Sequence, residues 1–344
     1  MARLPILREG RRSTHAIPGG KVPRLTTMKR TCLAAVLVFS FTVFPNSTRG
    51  QDLGKGALAS FPPETIRLEG STLAKLRGLP NYASLRQRYM GPKLQKLEDA
   101  LSQLGFREDD IDEMVLGMRP GTAEMDLYGF ASGRFDAKTL ADRAAAQGLS
   151  ATALAGQSAY CLGASVSSPC VAVLSGSQGA FGTLTLLTSM LEARAGQAPA
   201  LAANERFARL VSDAPTGSMI WGVAVGPAVG DWFRGWMPGQ GNVQMDWASV
   251  FQGVDSLIYS VDAADKVNLN LKLNCQTPEG AASLRQVLEG LKLAQELAWQ
   301  SQNSGRPNPY QAMEVELNGP QLSLRLVTEY TSLEGVGGPG TAQK

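Results

Sequence analysis

The last third of the chain alternates between apolar and polar positions with two different periods. Val267, Leu269, Leu271 and Leu273 are separated by asparagine and lysine, which is typical of a β-strand with one face in water. The next segment has its apolar residues at helical spacing, at Leu284, Val287, Leu288, Leu291 and Ala294. Two further alternating segments, 313–317 and 322–326, flank Asn318-Gly319, a dipeptide that favours a hairpin turn. This part of the chain therefore predicts two strands, a helix and two more strands.

The first half has a looser version of the same order. Strands are predicted at 113–118 and 124–132, and Asp136 is placed to cap a helix over 137–147. Short strands are then predicted, at 152–154, 159–162 and 170–174. We therefore predict an α+β fold with antiparallel sheets and helices on one face, arranged as two loosely related lobes that form an internal repeat.

Composition shifts along the chain predict its organisation. A short strand at 65–68 and a helical segment at 83–104 precede the first lobe. The predicted parts are a non-native extension at 1–27, a signal peptide at 28–50, a helical lead at 51–112, the first lobe at 113–226, a Trp-rich connector at 227–250, the second lobe at 251–333 and a flexible tail at 334–344.

The segment at 28–50 has the parts of an export signal in their usual order. Lys29 and Arg30 precede the apolar run Cys32–Phe44, and a polar stretch with small residues follows. Cleavage after Gly50 would leave Gln51 as the mature N-terminus. We therefore expect a periplasmic or secreted protein with no transmembrane span after cleavage. The alternative is an uncleaved membrane anchor through Cys32–Phe44, although this run is shorter than the ~20 residues that a spanning helix needs.

Removal of the signal changes the sign of the charge. Nine of the 33 basic residues and one of the 30 acidic residues lie in the first fifty positions, so 24 basic residues face 29 acidic ones in the mature part. The formal net charge thus moves from +3 for the whole chain to −5. Because nucleic acids select a basic face, this balance argues against a nucleic-acid partner.

The mature part would have no imidazole, since His15 is the only histidine. Histidine is a frequent general base and a frequent metal ligand, so its absence makes many catalytic sites improbable. Three cysteines remain, of which Cys161 and Cys170 flank a turn-rich stretch and are a candidate disulfide, while Cys275 would be a buried thiol. A site of cysteines alone needs four ligands, so we expect no metal and no cofactor.

Three local motifs are weak. The Gly-rich stretch 175–182 lies between a predicted strand and a helix, but its spacing matches neither a Walker loop nor a dinucleotide fingerprint. Ser177 in this stretch has no histidine to activate it, and the glycine spacing departs from a nucleophile elbow. The acidic group Asp109, Asp110, Asp112 and Glu113 lacks the EF-hand spacing. We interpret these segments as a helix entry and a structured turn.

The stretch from Phe130 to Asp136 is the basis of a resemblance to a group of bacterial proteins. It caps a predicted helix, and a short strand and a helical lead precede it in the chain. In this order of elements, the chain resembles uncharacterised exported bacterial proteins that repeat sheet-and-helix units. The resemblance implies no assigned activity and brings no catalytic residues.

The tryptophan-rich segment contains the candidate contact residues: Asp231, Trp232, Arg234, Trp236 and Trp247. Such residues would form a sugar platform or anchor a partner, or they would fill the core between the lobes. We predict a non-catalytic binding or interaction protein of the bacterial envelope, whose partner is an unknown envelope protein or a glycan. The alternatives are a glycan hydrolase that uses carboxylates and a carrier of an apolar ligand between sheet and helices.

Overall fold

The structure is a computed structural model, and it describes residues 53–83, 86, 92–121, 125–236, 246–302 and 307–330. The predicted extension, signal peptide and tail lie outside these residues. The described residues belong to one compact unit. No helix in the described ranges combines the length and apolar character that a bilayer span requires.

The described chain folds into helices and one large antiparallel sheet, which confirms the α+β class. The helices are α1 (Leu53–Leu58), α2 (Leu73–Arg77), α3 (Pro92–Gln103), α4 (Ala137–Ala146), α5 (Leu184–Arg194), α6 (Glu205–Asp213), α7 (Pro227–Trp236), α8 (Trp247–Val250) and α9 (Pro278–Gln302). The strands are β1 (Arg67–Ser71), β2 (Ile111–Pro120), β3 (Met125–Gly133), β4 (Thr152–Leu154), β5 (Gln157–Cys161), β6 (Pro169–Ser175), β7 (Gln178–Thr183), β8 (Ile220–Val225), β9 (Val254–Ala263), β10 (Val267–Cys275), β11 (Met313–Asn318) and β12 (Gln321–Thr328).

Several boundaries follow the predicted local signals. Asp136 accepts a hydrogen bond from the backbone N–H of Lys138 and caps α4. Thr277 accepts one from the backbone N–H of Gly280 at 3.0 Å and begins α9. The turn between β11 and β12 contains Gly319 at a φ of 57°, a left-handed conformation that glycine adopts without steric cost.

The strands of the two predicted lobes belong to one continuous sheet, a difference from the separate sheets that the pattern predicted. Its order is β11-β12-β10-β9-β8-β1-β2-β3-β7-β6-β5-β4. In both halves the last strand returns beside the second strand, β7 beside β3 and β12 beside β10. Strand β1 joins the halves because it pairs with β2 on one side and β8 on the other. The predicted domain boundaries and the sequence repeat stay predictions.

Helices cover both faces of the first half, whereas a single helical face was predicted. The Leu68 face, defined by Leu68 and Val223, packs against α1, α5 and α6. The opposite Arg67 face, defined by Arg67 and Glu69, packs against α3 and α4 in the first half. Adjacent apolar residues such as Val115 and Leu116 on β2 point to opposite faces, so each face needs its own cover.

The second half matches the prediction of helices on one face. Here α7, α8 and α9 cover the Arg67 face, where Leu271 and Leu273 of β10 are buried. The alternate residues of β10, Asn270 and Lys272 among them, are exposed or half-buried on the Leu68 face. The alternation of apolar and polar residues therefore indicates which face of β10 is exposed to water.

Cys161 and Cys170 are directly opposed on β5 and β6 and form a disulfide with an S–S distance of 2.00 Å. The sequence predicts this pair as a candidate disulfide because the two cysteines flank a turn-rich stretch. Cys275 is a free and buried cysteine. The bridge closes the hairpin at the β4 end of the sheet, which limits the freedom of that hairpin when the chain unfolds.

We expect Gly117→Ala to destabilise the protein by about 1–3 kcal/mol, because overpacking a filled core forces side chains out of their rotamers. A Cβ at this position would lie 2.5 Å from the Tyr128 ring and 2.8 Å from Phe61. The free energy of unfolding from urea denaturation measures the effect. Gly56→Ala is the matched control, since a Cβ there meets no atom within 4 Å. Equal losses in the two variants would contradict this description of the core.

Candidate functional site

The centre of the sheet holds a buried group of polar side chains on its Arg67 face. Arg67 and Glu69 alternate with Leu68 on β1, which places both of them between the helices of the first half and those of the second. Their side chains are only 16% and 21% exposed. Charged groups at such low exposure require partners, because burial removes the water that stabilises their charge.

Tyr259 of β9 completes this group, which we call the Arg67 triad: Arg67, Glu69 and Tyr259. Arg67 Nη2 donates to Glu69 Oε2 at 2.6 Å, and the Tyr259 hydroxyl donates to the same oxygen. Arg67 Nη2 also lies 3.5 Å from the Tyr259 oxygen. Within the described residues, Arg67 Nε is buried and has no hydrogen-bond partner. One carboxylate oxygen therefore receives two donors from different strands.

The environment fixes the protonation state of the triad. Burial raises the pKa of Tyr259 well above its ordinary value, and the negative charge of Glu69 adds to this effect against the opposing charge of Arg67. Burial lowers the pKa of Arg67, but the interactions with Tyr259 and Glu69 outweigh burial, so the pKa lies above its ordinary value. Tyr259 thus stays a neutral donor and Arg67 stays a cation at neutral pH.

A glycine makes room for the tyrosine. Gly222 of β8 is directly opposite Tyr259 on β9 and opposite Glu69 on β1. A Cβ at position 222 would lie 2.4 Å from the Tyr259 ring. The Tyr259 side chain crosses β8 at this point and reaches β1, so the triad depends on the absence of a side chain at Gly222.

The triad continues into an aromatic cluster from the predicted tryptophan segment. Trp232 on α7 is 2% exposed, and its ring centroid lies 4.9 Å from that of Tyr259. Phe233 stacks on Phe251 at 4.1 Å, and Trp247 stacks on Phe251 at 6.1 Å. Trp232 therefore lies in the core, whereas Trp247 is half-buried at the outer end of the stack.

The charged residues of the same segment lie at the surface. Asp231 and Arg234 form an ion pair at 2.7 Å on the solvent side of α7. Trp236 is the last residue of α7. The structure thus places Asp231 and Arg234 on the exposed side of α7, with the charge of Arg234 acting on Asp246 beside Trp247, and it buries Trp232 in the core. A role for any of them in ligand contact stays a prediction.

The carboxylate beside this surface has a structural task. Asp246 caps α8 and accepts hydrogen bonds from the Ser249 side chain at 2.7 Å and the Ser249 backbone. These bonds, with the charge of Arg234, hold the pKa of Asp246 below its ordinary value. A general acid for glycan hydrolysis needs a raised pKa instead, so the geometry here does not favour that role.

The acidic group near the start of β2 is bound by arginines. Arg134 donates to Asp110 Oδ1 at 3.2 Å and to the Asp109 carbonyl at 2.7 Å. Burial raises the pKa of Asp110, but the hydrogen bond from Arg134 and the nearby charge of Arg107 leave it lowered overall. In the described part of the chain, no three His, Cys, Asp or Glu side chains are grouped to hold a metal ion. Asp109 and Asp110 lie in the turn Glu108–Asp110, as interpreted from the sequence, whereas Asp112 and Glu113 lie on β2.

A shallow polar cavity of about 610 Å³ lies beside this turn. Its lining residues are Arg77, Tyr82, Glu98, Glu108 and Asp109. Arg77 donates to the backbone carbonyls of Glu108 and Ile111, both at 2.8 Å, and Arg86 forms ion pairs with Glu98 and Glu108. Most of these polar groups therefore hold the chain in place around α2 and β2.

The Gly-rich stretch 175–182 is a hairpin and was wrongly placed at a helix entry. Ser175 pairs with Gln178 across a tight turn, and Gly179 and Gly182 belong to β7. Helix α5 begins after Thr183, whose side chain caps it. The backbone N–H groups of this stretch are thus used by strand pairing, which removes the anion site that a helix start would offer.

The sequence did not indicate the Arg67 triad. Two charged residues on a five-residue strand are a local signal, but the third member lies 190 positions later. Only the pairing of β1 with β8, and of β8 with β9, brings Tyr259 to Glu69.

Comparison with known proteins gives distant structural neighbours. No protein-family model matches the chain, and no curated protein matches it. A solved structure of crystal form III of TP0453 is 11% identical, with 84% of this chain and 98% of that chain covered and a TM-score of 0.47. The structure of crystal form I of TP0453 is 10% identical, with 84% of this chain and 96% of that chain covered and a TM-score of 0.48.

We expect Arg67→Met to destabilise the protein by about 3 kcal/mol, because it leaves the Glu69 charge buried without its cation. Adding Glu69→Gln removes that charge and keeps an amide oxygen as acceptor for Tyr259. The double variant should therefore recover more than half of the lost free energy of unfolding, measured by urea denaturation at neutral pH. Additive losses in the double variant would show that the two charges are not coupled.

Proposed function

We propose that this protein is an exported, non-catalytic binding protein that contacts a protein partner through the Trp247 surface, which we define as Asp231, Arg234 and Trp247. The observation that carries the proposal is the stack in which half-buried Trp247 lies on the buried rings of Phe233 and Phe251. A rigid, partly exposed tryptophan beside an arginine has the composition of an interaction hot spot.

The supports of this surface are rigid. The short helix α8 packs against α7 closely enough that a Cβ at Gly230 would lie 3.0 Å from the Trp247 carbonyl oxygen. The Asp246 cap fixes the start of α8, and the aromatic stack fixes the Trp247 ring. Little conformational entropy would be lost when a partner covers such a side chain, which favours binding.

Export is the second part of the proposal. The basic and apolar pattern of 28–50 supports it, and so does the disulfide between Cys161 and Cys170, since disulfides persist in oxidising compartments. The carboxylate-dependent hydrolase and the apolar-ligand carrier have no comparable support among the described residues. The photo-crosslinking experiment described below would also detect a glycan partner.

Export and bridge formation can be tested together on protein from the envelope fraction of the native cell. We expect an intact mass that begins at Gln51. The unfolded, non-reduced protein should take one alkyl group, at Cys275, and the reduced protein three. A mass that retains residues 28–50 would favour the anchored alternative, and three reactive thiols before reduction would contradict the disulfide.

Contact through the Trp247 surface is tested by photo-crosslinking in cells. A photoreactive residue replaces exposed Ala248, beside Trp247, and the control carries it at exposed Asn270 on the opposite face of the sheet. We expect a discrete adduct at 248 that is absent at 270 and that weakens with Trp247→Ala. It should also weaken with Arg234→Ala, which changes an exposed side chain and should alter the melting temperature little.

The digestion of the adduct identifies the class of partner. A protease-sensitive adduct of defined mass supports a protein partner. An adduct that only glycosidases remove would contradict a protein partner and indicate a glycan instead. Equal labelling at 248 and 270, or labelling that Trp247→Ala leaves unchanged, would contradict the Trp247 surface.

A further inference from the structure

One end of the sheet is built from a segment without charged side chains. Charged residues make up 18% of the chain, yet no Asp, Glu, Lys, Arg or His lies between Arg143 and Glu192. This segment forms the last four strands in the sheet order, β7, β6, β5 and β4, and most of α5. On the adjoining strand β3, Asp126 is paired with Arg119 at 3.4 Å. The exposed side chains of the segment are hydroxyls, amides and small or aliphatic groups.

Two exposed aliphatic side chains lie at the same end of these strands. Val166 is 85% exposed in the loop 162–168 between β5 and β6. Leu184 is 39% exposed and follows Thr183, which pairs with Pro169 where the loop enters β6. We call the loop 162–168 together with Leu184 the Val166 tip. An uncharged end of the sheet thus carries its exposed apolar groups in one place.

The loop of the Val166 tip is held in shape by its own bonds. The disulfide between β5 and β6 closes its base, where the Leu162 N–H donates to the Pro169 carbonyl at 2.9 Å. At the turn, the Ser168 N–H donates to the Ser165 carbonyl at 2.9 Å. The N–H groups of Ser165 and Ser167 donate to the hydroxyls of Ser168 and Ser165, at 3.1 and 3.3 Å. These N–H groups therefore have acceptors within the loop, and little conformational entropy would be lost when the loop binds.

We propose that the Val166 tip inserts reversibly into the interfacial layer of a lipid bilayer. A charged side chain that enters a bilayer costs free energy, and so does a backbone N–H that has no acceptor. The tip has no charged side chain, and four N–H groups of its loop are bonded within the loop. The strength of such binding scales with the buried apolar area, so two aliphatic side chains give a weak and reversible attachment.

The composition of the tip favours lipid over a protein partner. Interaction hot spots between proteins are rich in Trp, Tyr and Arg, whereas Leu, Ser and Val, the residues exposed here, are under-represented in them. The Trp247 surface differs in this respect, since it has both a tryptophan and an arginine, and its test is independent of this one. The tip also has no Lys or Arg to attract anionic headgroups, so uncharged lipid should suffice for binding.

Vesicle flotation of the processed protein from the envelope fraction tests the proposal. We expect reversible binding to vesicles of pure phosphatidylcholine, and similar binding at about 0.05 M and about 0.5 M NaCl, because no charge attraction is involved. Val166→Asp should weaken binding at least about tenfold, because the bilayer excludes the new charge. It should leave the melting temperature unchanged, because the side chain is exposed. The matched control is Val287→Asp on α9, where valine is 38% exposed, and it should bind like the unmodified protein.

An environment-sensitive fluorescent amino acid at position 166 measures insertion directly, whatever else attaches the chain to the vesicles. Its emission should shift to shorter wavelength when phosphatidylcholine vesicles are added, while the same probe at position 287 should not respond. The proposal is overturned by equal responses at 166 and 287, by no response at 166, or by Val166→Asp protein that binds like the unmodified protein. Binding that requires phosphatidylglycerol and is lost in salt would also overturn it. A shift at 166 that lipid-free envelope protein produces and vesicles do not would indicate a protein partner instead.

Discussion

Strand β1 is the constraint on which the architecture depends. It comes from the beginning of the described chain, yet it lies at the centre of the sheet, between β2 of the first half and β8. The hydrogen bonds on its two edges connect the halves into a single sheet. Because β1 is central, its side chains have neighbouring strands on both sides, and its two charged residues must be neutralised inside the protein.

The Arg67 triad is the consequence of this position. The Tyr259 hydroxyl and the Arg67 guanidinium converge on one oxygen of Glu69, and Trp232 packs on the tyrosine. A buried ion pair of this kind adds little net stability compared with apolar residues, but it penalises any arrangement that separates the charges. Because Arg67 and Glu69 lie on the same strand, the link to the second half of the sheet is the hydrogen bond that Tyr259 makes to Glu69 across β8. Trp232 of α7, the helix that also carries Asp231 and Arg234, packs on this tyrosine.

The two faces of the sheet are covered differently in the two halves of the molecule. The Leu68 face is core in the first half and meets water along β10 in the second. On the Arg67 face, helices α7, α8 and α9 of the second half cover the sheet, and Trp247 of α8 is half-buried at the outer end of the aromatic stack.

The sequence by itself determined the elements whose signals are local. The alternation of Val267 to Leu273, the helical spacing from Leu284 and the Asp136 cap each involve neighbours within a few positions, so strand, helix and boundary follow from the pattern. The Cys161 and Cys170 pair was a candidate for the same reason. Only the tertiary structure decided that the halves share one sheet, that helices cover both faces of the first half, and that Glu69 meets Tyr259. These features depend on the pairing of strands that are far apart in the chain, such as β1 with β8, and the Glu69–Tyr259 contact that results joins residues 190 positions apart. Such pairing leaves no period in the sequence.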